Sequence, residues 1–316
     1  MPVDFSKFSV VIPLYNKETT VERAIKSVFN QTVQDFEIII VNDGSTDNSA
    51  SIVELIKDPR IRLIHQVNQG VSAARNSGMA EAKYELIAFL DADDEWLPAF
   101  LETIRRMLTN YPDCGLYATR YFFNYPSGNR KKAIINGYPD NFEGLLEDYF
   151  KIAVCSHPPV WSSATCVSKK AINKIGGFPV GVKSGEDLLT WAKIATCFSI
   201  AYSMKCASIF YQSPAEIYEA APSRIPDDDD FVGRELVKLL KPIEKKEKYY
   251  LNKYCGLWHK MRASSYLRLD MKEKARYEIF KAFNHTISIK LLTYLVLSFL
   301  PNIIINKVFQ WGSSHR

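Results

Sequence analysis

Residues 84–94 read YELIAFLDADD, an apolar run that stops at a cluster of carboxylates. A second run, FEIIIV at residues 36–41, stops in the same way at the polar loop NDGSTDNS. Short apolar runs bounded by turn residues are typical of strands buried on both faces of a sheet. Ligands bind outside the carboxyl ends of such strands. These two stretches therefore predict a fold and also the edge of the sheet at which a site would lie.

The same alternation of strand and helix patterns covers the first 120 residues. Strands are predicted at Phe8–Leu14, Phe36–Val41, Ile61–His65 and Tyr84–Leu90, and helices at Glu18–Asn30, from an N-cap at Asp47 to Lys57, at Gly70–Ala82 and from Pro98 onward. Such alternation predicts an α/β fold whose central sheet is mostly parallel and is covered by helices on both faces.

The pattern changes towards the C-terminus. Further strands are predicted at Gly115–Phe123, Ser162–Ser168 and Tyr202–Tyr211, and further helices at Glu186–Thr196, Arg234–Leu251 and Leu257–Ile279. The segment before residue 231 is rich in Asp and Pro, which is typical of an exposed linker. We therefore expect an α/β domain at 1–215, an acidic linker at 216–230 and a basic helical region at 231–316.

Charge is divided unevenly along the chain. The net charge of +5 combines −6 for residues 1–233 with +11 for residues 234–316. An acidic domain is a poor nucleic-acid binder, whereas a basic region can face anionic lipid or nucleic acid. We expect a membrane surface as the partner of the basic region and no nucleic acid.

The basic region ends in an apolar stretch, ISIKLLTYLVLSFLPNIIINKVFQW at residues 287–311. Its uninterrupted core, Leu291–Leu300, is shorter than the roughly 20 residues that span a bilayer. Lys290, Lys307 and Trp311 flank this core, as in segments that lie in a membrane interface. The alternative is a helix that packs on the protein's own core.

Cysteine usage and the N-terminus give the expected location. None of the six cysteines forms a C-x-x-C pair, so zinc-site spacing is absent and buried thiols are expected. A secretory leader has a basic segment followed by a long apolar one. The start of the chain, MPVDFSKFSVVIPLYN, does not show this pattern. We therefore expect a cytoplasmic protein that is peripheral on the inner face of the cell membrane.

The carboxylates of Asp91, Asp93 and Asp94 follow the fourth predicted strand. Two Asp separated by one strand residue point the same way, so Asp91 and Asp93 are expected to converge on one ligand. Mg²⁺ and Mn²⁺ prefer oxygen ligands and are often bound by one or two carboxylates plus substrate phosphates. The alternative is a solvated acidic turn that caps the next helix.

Other polar and aromatic residues are candidates for chemistry, and those of the loops after the first two strands are predicted at the same edge. Asp43 can accept from a nucleobase or a ribose, or can simply form a turn. Tyr15 can lie against a base, or can be a rim aromatic. Arg75 can pair with phosphate, or can be a surface charge beside small packing residues. Glu186 and Asp187 open a helix, whose dipole favours ionised carboxylates, and either can act as a general base or be an ordinary helix-start charge.

Together these segments resemble glycosyltransferase family 2, the inverting group with a GT-A fold. The matching segments follow the family's order: VVIPLYNKE (10–18), QTVQDFEIIIVNDGSTDNS (31–49), NQGVSAARNSG (68–78), IAFLDADDEW (87–96), GGFP (176–179) and GEDLLTW (185–191). The resemblance covers residues 6–212, and the combination is far more specific than a single D-x-D motif. It implies a GT-A nucleotide-sugar-binding fold with a C-terminal helical appendage.

The resemblance also implies roles for single residues. Those expected to bind the nucleotide-sugar donor are Pro13, Tyr15, Asp43, Arg75, Asp91, Ala92 and Asp93. Asp93 would hold a Mn²⁺ or Mg²⁺ that bridges the two phosphates. A UDP-sugar is the favoured donor, because Tyr15 and Asp43 suit uracil.

On the acceptor side, the resemblance implies that Asp187 is the catalytic base and Glu186 its neighbour. Trp191 lies where the family often places an aromatic, although core packing explains it equally well. The implied acceptor is a glycan or a polyprenyl-linked sugar, and the implied setting is bacterial assembly of lipopolysaccharide, O-antigen or capsule.

Two other functions are compatible with such a sheet. A sugar nucleotidyltransferase typically begins with a Gly-rich basic loop, and here that stretch is VVIPLYNKE, without glycines. A non-catalytic, membrane-bound glycan or nucleotide binder would be expected to lack one of the carboxylates, and all are present. A dinucleotide-binding dehydrogenase is disfavoured, since no G-x-G-x-x-G follows the first strand.

Overall fold

The computed structural model of the chain describes residues 7–218, 220–222, 224–241 and 245–314. The strands are β1 (Phe8–Leu14), β2 (Phe36–Asp43), β3 (Ile61–Gln66), β4 (Leu86–Phe89), β5 (Glu95–Trp96), β6 (Leu116–Asn124), β7 (Arg130–Lys132), β8 (Glu143–Leu145), β9 (Thr165–Ser168) and β10 (Ile200–Tyr211). The helices are α1 (Val21–Phe29), α2 (Ser49–Leu55), α3 (Val71–Glu81), α4 (Phe100–Asn110), α5 (Tyr149–Cys155), α6 (Lys169–Lys174), α7 (Glu186–Ala195), α8 (Phe231–Leu239), α9 (Lys245–Arg268), α10 (Lys272–Phe283), α11 (Ile289–Leu297) and α12 (Asn302–Ser314).

One twisted sheet joins the strands in the order β3-β2-β1-β4-β9-β6-β10-β5. β3, β2, β1 and β4 run parallel, as predicted from their apolar runs. The other half is mixed, because β9 runs antiparallel to both β4 and β6. The chain reaches β9 from the ligand edge, through a short 3-10 helix at Ser162–Ala164, and must therefore run back across the sheet.

Helices cover both faces of the sheet with apolar side chains. α1 buries Val21, Ala24, Ile25 and Val28 against one face, which accounts for their helical spacing. α3 lies against the other face at very short range. A methyl group built on Gly78 would lie 2.4 Å from Cγ1 of Val11, so this contact requires glycine.

Two predicted helices have the wrong boundaries. The helix predicted at Arg234–Leu251 is interrupted between α8 and α9, and residues 242–244 lie outside the described part of the chain. The helix predicted at Leu257–Ile279 is interrupted at Asp270. Its φ of 57° lies in the left-handed region, where helices commonly end.

The expected exposed linker is only partly exposed. Asp228 and Asp229 are exposed, but the Asp230 side chain is 6% exposed and caps α8, accepting from the backbone N–H of Gly233 at 3.0 Å. Trp258 of α9 also donates to Asp230. The prediction of a solvated acidic run is therefore wrong at its last residue, which is covered by the helical region.

The last helices build a core of their own. Buried side chains from α9 to α12 form one cluster that includes Tyr266, Ile279, Leu291, Ile305 and Phe309. The opposite side of α11, α12 and the turn between them leaves large apolar side chains exposed, among them Ile289, Val296, Phe299, Ile303 and Trp311. Within the described residues, no helix combines the length and the apolar character that crossing a bilayer requires.

Candidate active site

The loops that follow β1 and β2 meet at the carboxyl edge of the sheet. The backbone N–H of Asn16 donates to Oγ of Ser45 at 3.1 Å, and the backbone N–H of Thr46 donates to Oδ1 of Asn16 at 2.8 Å. Asn16 has a φ of 51°, a left-handed conformation that Asn tolerates better than most residues. The two loops therefore form one continuous rim.

Pro13 and Tyr15 differ sharply in exposure. Pro13 is buried in β1, where it pairs with Val41 of β2. Tyr15 follows the strand, and 46% of the residue is exposed. Its ring is therefore accessible to a planar ligand, whereas Pro13 is enclosed in the sheet.

Asp43 is buried at the end of β2 and orders the segment that leads into α3. Its Oδ1 accepts from Nε2 of Gln66 at 2.7 Å and from the backbone N–H of Gln69 at 2.9 Å. Its Oδ2 accepts from the backbone N–H of Gly70 at 2.8 Å. An ionised carboxylate offers about four acceptor positions, so Asp43 can still accept one further hydrogen bond. Gln69 belongs to the NQGVSAARNSG segment, whereas Gln66 lies outside every quoted motif.

The prediction that Asp91 and Asp93 point the same way from a strand is wrong. β4 ends at Phe89, and the next residues form a turn in which the N–H of Asp94 donates to the C=O of Asp91 at 3.0 Å. The carboxylates consequently have different partners. Ala92 between them is buried, and its methyl group packs in the hydrophobic core.

Asp93 points outward and contacts a lysine. Its Oδ2 accepts from Nζ of Lys17 at 2.6 Å, and its side chain is 38% exposed. Its backbone C=O accepts from Nη2 of Arg23 at 2.5 Å. Lys17 lies within the VVIPLYNKE segment, but its pairing with Asp93 could not be inferred from sequence, because the two residues come from different loops.

Asp94 is buried and has a structural role instead. Its Oδ2 accepts from Oγ of Ser163 at 2.5 Å, and its Oδ1 accepts from the backbone N–H of Tyr211 at 3.2 Å. Burial raises the pKa of Asp94 well above its usual range, and the nearby charges of Asp93 and Asp91 raise it further. Asp94 thus ties the carboxylate turn to β10.

Arg75 connects the two halves of the site. Its guanidinium is 3% exposed; Nη2 donates to Oδ1 of Asp91 at 2.7 Å, and Nη1 lies 3.5 Å from Oε1 of Glu186. Burial alone would lower the pKa of Arg75, but Asp91 and Glu186 outweigh it and raise that pKa. The expected alternative of a surface arginine is therefore wrong. Its Nε and Nη1 are buried and have no hydrogen-bond acceptor within the described residues.

Asp187 lies in the first turn of α7, whose N-cap is Gly185 with a φ of 80°. The helix dipole was expected to favour ionised carboxylates here. Burial instead raises the pKa of Asp187 to about 7, and the charge of Glu186 adds to that rise, while Arg75 opposes it. A carboxyl group that titrates near neutral pH is well matched to general base catalysis.

The aromatic side chains of the two motifs at this helix, Trp191 within α7 and Phe178 before it, are core elements. Trp191 is fully buried, and its ring packs against those of Phe89 and Phe178 at centroid distances of 6.3 and 5.5 Å. The GGFP segment is held on α3 by Asn76, whose Oδ1 accepts from the N–H of Phe178 at 2.9 Å. Core packing is therefore the role of Trp191 in this structure.

A family model described as Glycosyl transferase family 2 matches residues 9–163. These residues belong to glycosyl transferase family 2. The range includes every residue predicted to bind the donor. It ends before the GEDLLTW segment that carries Glu186 and Asp187, so the family match does not bear on the predicted base.

Named relatives are also glycosyltransferases, and their alignments cover only part of each protein. YibD of Escherichia coli, named as an uncharacterized glycosyltransferase, is 46% identical over 104 residues, which are 32% of this chain and 30% of that protein. The alignment therefore spans less than a third of either protein.

Solved structures match over nearly the whole chain. S. aureus TarS 1-349 in complex with UDP-GlcNAc aligns with a TM-score of 0.67 at 18% identity, covering 98% of this chain and 92% of that one. The mannosyltransferase PcManGT of Pyrobaculum calidifontis, in complex with GDP-Man and Mn²⁺, aligns with a TM-score of 0.56 at 14% identity, covering 96% and 87%. The predicted GT-A fold with a C-terminal helical region is thereby confirmed.

Proposed function

We propose that this chain is a metal-dependent, inverting glycosyltransferase. It moves a sugar from a nucleoside diphosphate, with UDP favoured, to a hydroxyl of a glycan or polyprenyl-linked acceptor in cell-surface polysaccharide synthesis. The observation that carries this proposal is the buried bridge from Asp91 through Arg75 to Glu186. That bridge joins the carboxylate turn at residues 91–94 to α7, the helix that carries Asp187.

The nucleoside would lie on the rim formed by the loops after β1 and β2. Tyr15 offers an exposed ring for stacking, and Asp43 retains acceptor capacity at the end of β2. UDP is favoured because TarS, which has the same fold, was solved in complex with UDP-GlcNAc. PcManGT was solved with GDP-Man, so the choice of base is a question for experiment.

Asp93 would hold the divalent cation. It is a partly exposed carboxylate at the ligand edge, and it already attracts a cationic group, the ammonium of Lys17. One carboxylate with open space around it suits Mg²⁺ or Mn²⁺, which complete their coordination with water and substrate phosphates. When bound, the ion would neutralise charge on the departing nucleoside diphosphate.

Arg75 would support the phosphates from below. Its Nε and Nη1 are buried N–H groups without an acceptor within the described residues, and such groups are costly unless something accepts from them. An anionic donor near Asp91 would supply that acceptor. Because Arg75 is held by Asp91 and Glu186, the guanidinium is also fixed in orientation.

Asp187 would act as the general base. Its carboxylate takes the proton of the acceptor hydroxyl while that oxygen forms a bond to the anomeric carbon. The bond from this carbon to the phosphate oxygen breaks on the opposite face, and its electron pair leaves with the nucleoside diphosphate. A single displacement of this kind inverts the anomeric configuration.

The exposed apolar side of α11 and α12 would lie on a membrane. Residues 279–316 contain Lys and Arg but no Asp or Glu, which suits an anionic lipid surface. Exposed apolar side chains in this segment include Ile289, Val296, Phe299 and Ile303. Peripheral binding at the inner face of the cell membrane would bring the site close to lipid-linked acceptors.

The product's stereochemistry tests the proposal. The protein would be incubated with a UDP-sugar, Mn²⁺ and a lipid-linked acceptor, and the new linkage would be examined by NMR. We expect the anomeric configuration to be opposite to that of the donor. A retained configuration would exclude the single displacement. Tight donor binding without product, from every acceptor tried, would favour the non-catalytic binder instead.

A further inference from the structure

Trp258 of α9 packs directly against the start of α7. A methyl group built on Gly185, the N-cap of α7, would lie 2.4 Å from Cζ3 of Trp258, so the ring lies against the bare glycine backbone. Trp258 is 5% exposed. The contact therefore places a side chain of the C-terminal region two residues before Asp187.

A second contact from the same helix lies on the other side of Asp187. The hydroxyl of Tyr254 donates to the backbone C=O of Leu188 at 3.4 Å. The Tyr254 ring also packs against Tyr149 and Phe150 of α5, at centroid distances of 6.0 and 5.5 Å. Thus α9 contacts the first turn of α7 both before and after the carboxylate.

Trp258 is held by a buried carboxylate. Its indole Nε1 donates to Oδ1 of Asp230 at 2.8 Å. Asp230 is also the N-cap of α8, and a methyl group built on Gly233 would lie 2.2 Å from its Oδ2. These contacts leave the carboxylate little room to move and fix the orientation of the indole.

An ion-pair network surrounds Asp230. Nδ1 of His259 lies 2.7 Å from Oε2 of Glu278, and Nε of Arg262 donates to Oε1 of Glu278 at 2.9 Å. Asp230, His259 and Glu278 lie close enough together to ligate a metal ion. Arg262, however, already supplies positive charge to both carboxylates, with Nη1 3.8 Å from Oδ1 of Asp230. We therefore interpret the cluster as a structural network that locks α8, α9 and α10 together.

We propose that Trp258, held in place by Asp230, positions the first turn of α7 and with it the Asp187 carboxylate. The C-terminal region is then part of the catalytic machinery as well as a membrane contact. Trp258 is a positioning residue, because it acts through the backbone of α7 and not on substrate. The inference rests on the proposed role of Asp187 as the base.

Several titratable groups lie close enough to Asp187 to interact with its charge. They are Glu186 on α7, Arg75 on α3, Asp91 in the carboxylate turn, Tyr121 on β6, Tyr149 on α5 and Tyr254 on α9. Burial is the largest cause that raises the pKa of Asp187. If α9 moves away, the partly buried carboxylate becomes more exposed to water, and its pKa should fall towards the ordinary value of a carboxyl group.

The test compares Trp258→Leu with Tyr249→Leu, which removes an exposed aromatic from the same helix. Hydrogen exchange of α7 is measured first, since the N–H of Leu189 donates to the C=O of Gly185 in the turn at issue. We expect Trp258→Leu to speed exchange in this turn about tenfold, with no change in β1 to β4. We also expect turnover to fall about 10²-fold at unchanged donor affinity, and the acidic limb of turnover to move to lower pH.

Two further variants keep the result interpretable. Trp258→Phe keeps a ring over Gly185 but removes the indole N–H, and Asp230→Asn weakens the same bond, with exposed Asp229→Asn as its control. If Trp258→Leu does not fold, these two should still loosen α7 and lower turnover to a smaller extent.

The exchange measurement separates this inference from the proposed function. Unchanged exchange in α7 and an unmoved acidic limb in Trp258→Leu, with the native chain active, would overturn the positioning role. Faster exchange throughout the sheet would also overturn it, since Trp258 would then only stabilise the fold. A third outcome is faster exchange confined to α7 in Trp258→Leu while the native chain turns over no donor. That outcome would support the positioning contact and contradict the proposed function.

Discussion

Nζ of Lys17 lies 2.6 Å from Oδ2 of Asp93, and both side chains are more than a third exposed. An ammonium on a long flexible side chain thus shares the carboxylate that we propose as the metal ligand. Exposed pairs of this kind contribute little to stability, typically below about 1 kcal/mol. The contact is therefore easily exchanged, and Lys17 and a divalent cation should compete for Asp93.

The first prediction concerns that competition. Lys17→Met should tighten Mn²⁺ binding, because it removes a competing positive charge, whereas Asp93→Ala should abolish metal-dependent donor binding. Calorimetric titration with Mn²⁺ alone, and then with UDP in the presence of Mn²⁺, measures both effects. Lys26→Met, at an exposed pair with Glu22, is the matched control. Metal-dependent UDP binding that survives in Asp93→Ala would contradict the assignment.

The second prediction concerns the base. Asp187→Asn preserves size but cannot take a proton, so turnover should fall by about 10²- to 10⁴-fold while donor affinity stays nearly the same. Steady-state kinetics and UDP titration give the two quantities. Asp113→Asn, an exposed carboxyl beyond α4, should change neither. Loss of donor binding at normal turnover would be the opposite of what this assignment requires.

The third prediction is a pH dependence. The pKa of Asp187 is about 7, so turnover should rise with pH through about 7 as the base ionises. A folded-state pKa above the ordinary 3.8 also means that the folded chain holds this proton more tightly than the unfolded chain. The contribution of Asp187 to stability is therefore present at low pH and is lost as pH rises towards and through 7. Asp187→Asn should consequently raise the melting temperature more at pH 8 than at pH 5; an equal shift at both would argue against the raised pKa.

The fourth prediction concerns the buried bridge. Arg75→Met leaves Asp91 and Glu186 facing each other without the guanidinium, and removing one partner of a buried pair typically costs about 3–5 kcal/mol. Urea denaturation should detect the loss. Arg234→Met breaks an exposed pair with Asp229 and should cost no more than about 1 kcal/mol. Equal costs for the two variants would mean that Arg75 is not a structural link.

The fifth prediction concerns the membrane face. Deleting residues 287–316 would remove Leu291, Ile305 and Phe309 from the core that α9 to α12 form, so deletion confounds folding with binding. Replacing the exposed Ile289, Val296 and Phe299 by Ser avoids this problem. The triple variant should lose sedimentation with anionic vesicles and keep its melting temperature. Leu55→Ser with Val67→Ser, at exposed positions elsewhere, should leave sedimentation unchanged, and equal binding by all three proteins would refute the membrane face.

The parallel half of the sheet could be predicted because its strands are buried on both faces and read as continuous apolar runs. Phe36–Val41 and Ile61–His65 recur almost unchanged as β2 and β3. The break at Asp270 could not be predicted, because neither Gly nor Pro marks it. The antiparallel β9 also lacks a sequence signal, since strand direction depends on the path of the chain before it.

The candidate site could likewise be predicted from the sequence only in part. Asp43 and Asp93 could be predicted to lie at one edge of the sheet, because the loops after parallel strands meet there. The side chains that pair with the carboxylates of the turn come from elsewhere in the fold. Lys17 pairs with Asp93, and Arg75 pairs with Asp91. The raised pKa of Asp187 depends on burial, which no local pattern encodes. The contact between Trp258 and α7 could not be predicted either, because Trp258 lies in the C-terminal region, where no family motif occurs.

Metal-dependent release of a nucleoside diphosphate tests the central claim most directly. Purified protein would be offered UDP-, GDP- and dTDP-sugars with Mn²⁺ or Mg²⁺, with and without EDTA, beside the Asp93→Ala variant. We predict release from one class of donor, UDP-sugars first, that EDTA and Asp93→Ala both abolish. Release that is indifferent to EDTA and to Asp93→Ala would contradict the account.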